Sequence, residues 1–64
     1  MRSVVEDLEA ASKYLDDAEC MTGNASVLLE RVSGSLAEDA QIATKLIEEL
    51  RERSRKVLGA LENV

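Results

Sequence analysis

Leu29-Glu30-Arg31-Val32-Ser33-Gly34-Ser35-Leu36-Ala37-Glu38 is the stretch that decides the fold of this chain. Ser33-Gly34-Ser35 interrupts a run of strong helix formers, and the interruption has chemistry on both sides. Gly34 can cap a helix that ends here, because glycine enters left-handed geometry at little steric cost. Ser35 with Glu38 three residues on has the spacing of a capping box, which opens the next helix. The stretch predicts an antiparallel helical hairpin with arms 3–32 and 36–63 and a bend near 33–35.

One long continuous helix is the competing arrangement. A hydrophobic seam runs through Val4, Leu8, Ala11, Leu15, Ala18, Thr22, Ala25, Leu29, Val32, Leu36, Asp39, Ala43, Leu46, Leu50, Arg53, Val57, Ala60 and Val64, and it crosses the break without losing phase. Of these 18 positions 15 are apolar, against 14 of the other 46, so the heptad is a real signal for one stripe on one side of a helix. A turn has no reason to preserve that register. A second candidate break lies at Thr22-Gly23-Asn24, where Gly and Asn both tolerate left-handed geometry.

Working outward, everything else favours helix. The chain has no proline and abundant Ala, Leu, Glu, Lys and Arg, and no stretch alternates as a strand would. Ser3 with Glu6 has capping-box spacing and places the start of the first helix near residue 3 or 4. Glu6, Asp7 and Glu9 follow in the first turns, where they complement the helix dipole. The fold class is all-α, a coiled-coil or helix-bundle element forming a single module over residues 1–64.

Charge favours the hairpin. Residues 1–21 carry six acids and two bases, whereas residues 45–64 carry four acids and five bases. An antiparallel fold brings Asp16, Asp17 and Glu19 near Arg51, Arg53 and Arg55. Exposed pairs of this kind contribute about 0 to 1 kcal/mol each, so they select orientation more than they stabilise.

Composition narrows the function. A chain of 64 residues buries about 60% of its unfolded surface and usually needs a disulfide, a metal or association to hold it. Cys20 is the single cysteine and there is no histidine, so association is the expected staple and no cofactor or metal is expected. Cys20 itself reads as a small packing residue, and Tyr14 as a ring lying along the interface edge. A net charge of −5 with one aromatic residue argues against nucleic acid and anionic lipid as partners. No apolar run reaches the roughly 18 residues that span a bilayer and no signal core follows Met1-Arg2, so no direct membrane insertion and a cytoplasmic location are expected. Adjacent acids such as Asp16-Asp17 and Glu48-Glu49 diverge around a helix, and the chain is not expected to be an enzyme.

The expected interface is the widened seam: Leu8, Leu15, Leu29, Val32, Leu36, Ala43, Leu46, Ile47, Leu50, Val57 and Leu61. Its many alanines bury little area in a two-helix contact, so four helices are the favoured count. Asp39 and Arg53 interrupt the seam and are candidate polar layers that fix register and partner choice, set against the plainer possibility that they reach solvent. The expected partners are the chain itself, as a homo-oligomer, or other helical proteins.

The stretch Glu30-Arg31, then Gln41-Ile42-Ala43-Thr44-Lys45-Leu46-Ile47-Glu48-Glu49-Leu50, resembles the SNARE coiled-coil motif in its b-type Q-SNARE branch. The resemblance implies that Arg53 holds the polar central position. Leu29, Val32, Leu36, Asp39, Ala43, Leu46 and Leu50 then form the layers before it, and Val57, Ala60 and Val64 those after. The chain would be one strand of a four-helix membrane-fusion bundle. It departs from that branch in having Arg53-Ser54 where the branch has Gln followed by Arg. The function expected from the residues themselves is a non-enzymatic oligomerisation module. The SNARE-like strand is one alternative, and a small adaptor or chaperone holding an amphipathic helix in its groove is another.

Overall fold

The structure is a computed structural model describing residues 3–63, which form two helices, α1 (Val4–Glu30) and α2 (Gly34–Glu62), packed side by side and antiparallel. The chain takes the hairpin, not the continuous helix. Val64, the last seam position, lies outside the described residues. The pair is 48 Å long and 19 by 12 Å in cross-section, the dimensions of two helices lying together with nothing covering either side.

Ser3 opens α1 as the sequence expects: its side chain accepts the Glu6 backbone N–H at 3.1 Å, with Glu6 and Asp7 in the first turn. The turn to α2 is built differently from the expected caps. α1 ends at Glu30, and the N–H groups of Val32 and Ser33 both donate to the Leu29 carbonyl, at 2.9 and 2.8 Å. Ser33, in extended geometry, precedes α2, and its carbonyl accepts the Ala37 N–H at 3.1 Å. Gly34 is thus the first residue of α2, not the cap of α1, and Ser35 lies inside the helix with no capping role. No described residue has positive φ, so the turn makes no use of glycine's special freedom. The candidate break at Thr22-Gly23-Asn24 is not a break. α1 runs straight through it, and Thr22 spends its hydroxyl on the Ala18 and Glu19 carbonyls at 2.9 and 3.1 Å.

The helices meet along a seam that mixes aliphatic side chains with small and polar ones. On α1 it follows Val5, Leu8, Ser12, Leu15, Glu19, Thr22, Ser26 and Leu29; on α2 it follows Ala37, Ala40, Thr44, Ile47, Arg51, Ser54 and Leu58. Only Ser26 and Ala37, 6% and 3% exposed, are buried among the described residues, and the Ser26 hydroxyl donates to the Ala37 carbonyl at 3.3 Å. Farther from the turn, the Thr44 and Thr22 hydroxyls are 2.8 Å apart. Beyond them Arg51 reaches across to Asp16 at 2.9 Å and also pairs with Glu19. These three crossings lock one face of α1 to one face of α2.

Arg51 is therefore the member of the expected charge pairing that crosses the hairpin. It joins the acidic arm to the basic one at two of the three acids named from sequence. Its Nε is shut off from solvent without an acceptor, so the contact carries a desolvation cost alongside its attraction.

Candidate interaction surface

Every inner position on α2 is the residue immediately after a seam position read from the sequence. Ala37 follows Leu36, Ala40 follows Asp39, Thr44 follows Ala43, Ile47 follows Leu46, Arg51 follows Leu50, Ser54 follows Arg53 and Leu58 follows Val57. One residue is about 100° around a helix. α2 thus has two parallel heptad lines. The line that packs on α1 mixes Ala37, Ala40, Ile47 and Leu58 with Thr44, Arg51 and Ser54, and the line richer in large aliphatic side chains is turned outward beside it.

On α1 the displacement is smaller. Leu8, Leu15, Thr22 and Leu29 belong to both lines, while Val5, Ser12, Glu19 and Ser26 replace Val4, Ala11, Ala18 and Ala25 at the contact. The replaced line lies about 60° from the contact, because three residues turn a helix about 300°. In antiparallel neighbours, turns of the same sense about each helix carry both lines to the same side. The outward lines of α1 and α2 consequently merge into one continuous face of the hairpin.

That face holds Val4, Tyr14, Met21 and Leu28 from α1 and Leu36, Leu46, Leu50 and Val57 from α2, all exposed, with Ala11, Ala18, Ala25, Ala43 and Ala60 between them. Its charged members are Asp7, Asp39 and Arg53. The opposite side is mostly charged and polar, although Val27 is exposed there and Ile42 is exposed beside Glu38, Gln41 and Lys45. Glu6, Glu9, Lys13, Asp16 and Glu30 face that way on α1, and Glu38, Gln41, Lys45, Glu48, Glu52, Arg55 and Glu62 on α2. A hairpin with one apolar face and one charged face is amphipathic as a whole, in the way a single surface helix is.

The interface residues named from sequence divide between the two places. Leu8, Leu15, Leu29 and Ile47 are half-buried within the hairpin, and Ala43 is half-buried at its edge. Leu36, Leu46, Leu50 and Val57 are exposed on the apolar face, Leu46 by 59% and Leu50 by 52%. Val32 stands in the turn and Leu61 near the far end of α2, both exposed. Asp39 and Arg53 are exposed on the apolar face and take no part in the contact between α1 and α2.

Several residues of the surface and its support escape a hydrophobic reading of the sequence. Met21 extends the face on α1 between Tyr14 and Leu28; the seven-residue spacing of the three is the signal that marks it, running one line beyond the seam. Thr44, Arg51 and Ser54 line the inner contact although their polarity suggests solvent. Cys20 is exposed on the charged side, so it is not a packing residue within the hairpin. Its sulfur lies 3.9 Å from the Asn24 side-chain nitrogen. Tyr14 is 75% exposed on the apolar face.

No described helix is long and apolar enough to cross a membrane, and no described cluster of His, Cys, Asp or Glu is placed to hold a metal ion. A depression lined by Glu38, Gln41, Ile42 and Lys45 is open and lies along α2 alone. No protein-family model, curated protein or solved structure matches this chain.

Proposed function

We propose that this chain is a non-enzymatic assembly module whose apolar face is completed by helices from another polypeptide. The observation that carries this reading is the mismatch between what the hairpin buries and what it leaves outside. Among the described residues a single apolar residue, Ala37, is buried, while eight large apolar side chains share one exposed face. Contiguous patches of this kind mark interaction sites on soluble proteins. The charged opposite face keeps the assembled particle in water.

The division of labour between the two lines on α2 supports the same reading. Leu36, Leu46, Leu50 and Val57 take no part in the contact within the chain, so that line is left for contact between chains. A layer of two helices closed by two more is a four-helix bundle, the arrangement in which small and large aliphatics of this spacing pack.

The test is Leu50→Asp. Leu50 lies on the apolar face and outside the seam between α1 and α2, so the substitution leaves the hairpin contact intact. Burying an unpaired carboxylate lowers association by about a hundredfold or more. Sedimentation equilibrium is expected to show the variant as a hairpin monomer with near-parental helicity by circular dichroism. An unchanged mass distribution would remove the apolar face from the mechanism.

A SNARE-like strand is the second reading, favoured by one observation. The layer positions Leu36, Asp39, Ala43, Leu46, Leu50, Arg53 and Val57 are those that α2 turns outward. A strand of that kind is poorly helical alone and gains helix when partner helices are added. A self-sufficient module is helical alone, with melting that rises with concentration.

A further inference from the structure

Resting on the assembly reading, we propose that the occupant of the apolar face is a second copy of this chain, related by a two-fold axis that crosses α2 at Leu46. Two observations carry the proposal. The first is area. A folded monomer of 7.0 kDa exposes about 4,000 Å². This hairpin exposes 5042 Å², an excess of about 1,000 Å². A stable interface removes about 800 Å² from each partner, so one copy facing another absorbs the surplus.

The second is charge. Asp39 and Arg53 are the two charged residues on the outward line of α2; they carry opposite signs and each stands seven residues from Leu46. A two-fold axis through Leu46, perpendicular to α2, runs the two copies of this helix antiparallel. It sets Asp39 of each copy beside Arg53 of the other and Leu46 against itself. A symmetric dimer reuses one patch on both subunits, so that patch must complement itself under the rotation, and this one does. Parallel copies would instead set Asp39 against Asp39 and Arg53 against Arg53. The same axis keeps every neighbouring pair of helices antiparallel, and the small side chains of Ala11, Ala18 and Ala25 let the two copies of α1 approach closely.

Two exposed charges of opposite sign complete the register that the aliphatic residues leave loose. Asp39 of the second copy offers Arg53 a carboxylate across the interface, which makes the contact selective for this orientation.

Charge reversal, read by sedimentation equilibrium, tests the proposal. Asp39→Arg alone and Arg53→Asp alone each bring two like-charged pairs together in the antiparallel dimer and are expected to weaken it about tenfold. The double variant Asp39→Arg with Arg53→Asp restores both pairs and is expected to return to parental affinity. All three variants keep the hairpin contact, and circular dichroism at low concentration checks that they do. Single variants that dimerise like the parent, or a double variant no better than the singles, overturn the two-fold arrangement. In that case, loss of association in Leu50→Asp still upholds the assembly reading. A parent chain that stays monomeric at every concentration overturns the second copy as occupant, whatever helix it captures instead.

Discussion

Thr22 and Thr44 hydrogen-bond to each other across the hairpin, Oγ1 to Oγ1 at 2.8 Å, from the middle of the contact between the two helices. Each hydroxyl has one proton. Thr22 can donate to the Ala18 carbonyl and Thr44 to the Ala40 carbonyl, so the proton shared between them completes a chain that runs either from Thr44 to Thr22 to Ala18 or from Thr22 to Thr44 to Ala40. Continuing the register by ten residues each way sets Ser12 opposite Ser54, and by fourteen, Leu8 opposite Leu58. The pair is thus a mid-helix marker of which face of α1 meets which face of α2.

Replacing one threonine by valine is expected to cost about 1 kcal/mol, because it removes the bond and leaves a half-buried hydroxyl with less to do. Replacing both is expected to be neutral or slightly stabilising, since two isosteric methyls then pack where two hydroxyls stood. Urea denaturation of the three variants reads the energies. The cost of the double variant falls on uniqueness: with its marker gone, α2 can turn its more apolar line toward α1, and amide resonances should broaden. Sharp, parental spectra for the double variant would show that the pair does not select the packing.

Arg51 bridges to Asp16 and Glu19, but Glu19, with its side chain 21% exposed, is the carboxylate that depends on it. Arg51→Ala is expected to destabilise the hairpin by about 1 to 2 kcal/mol, between the values for exposed and buried pairs. Glu19→Leu with Arg51→Met is expected to be at least as stable as the parent, because it removes both charges together with the unpartnered Nε. A double-mutant cycle in urea checks both statements. Additive losses, with the double variant the least stable of the set, would mean that the aliphatic replacements do not fit this seam.

The extent to which this arrangement is legible from residues alone follows from its two lines. The turn near Ser33-Gly34-Ser35 is readable because composition changes there, although the caps are supplied by backbone groups of Leu29 and Ser33, whose use no side-chain pattern announces. Heptad periodicity finds a stripe but not its destination. Leu36, Leu46 and Leu50 repeat as cleanly as Ala37, Ile47 and Arg51, one residue apart, and hydrophobicity points to the former line. Packing within the chain uses the latter, where Arg51, Thr44 and the Ala37 carbonyl meet Glu19, Thr22 and Ser26 of α1. A polar contact between distant residues leaves no periodic trace, so it is the part of the fold that the stripe conceals.

Gly23 sits inside α1 with nothing beyond its chain neighbours and its own helical backbone within 4 Å of where a Cβ would stand, and its φ is not positive. Gly23→Ala is therefore expected to stabilise the hairpin by about 1 kcal/mol, the ordinary helix-propensity difference, and to raise the melting temperature by about 4 to 8 °C. Association should be untouched, because Gly23 lies on the charged side. A loss of stability would identify Gly23 as a hinge, in conflict with the continuous α1.

Cys20 and position 21 offer a direct comparison of the two faces. They are neighbours in sequence, both exposed in the hairpin, and about 100° apart around α1. Cys20 belongs to the charged side, whereas Met21, 69% exposed, stands on the apolar face. Maleimide should react with Cys20 at a rate independent of protein concentration, and the labelled chain should assemble as the parent does. In the Cys20→Ser background, Met21→Cys should react as fast at high dilution but slow by about tenfold or more once the chain associates, in proportion to the population left unassembled. A bulky label placed there should hold the chain as a hairpin monomer. Equal rates for the two thiols at all concentrations would mean that assembly, where it occurs, leaves the apolar face open, and no bundle closed on that face could produce such a result.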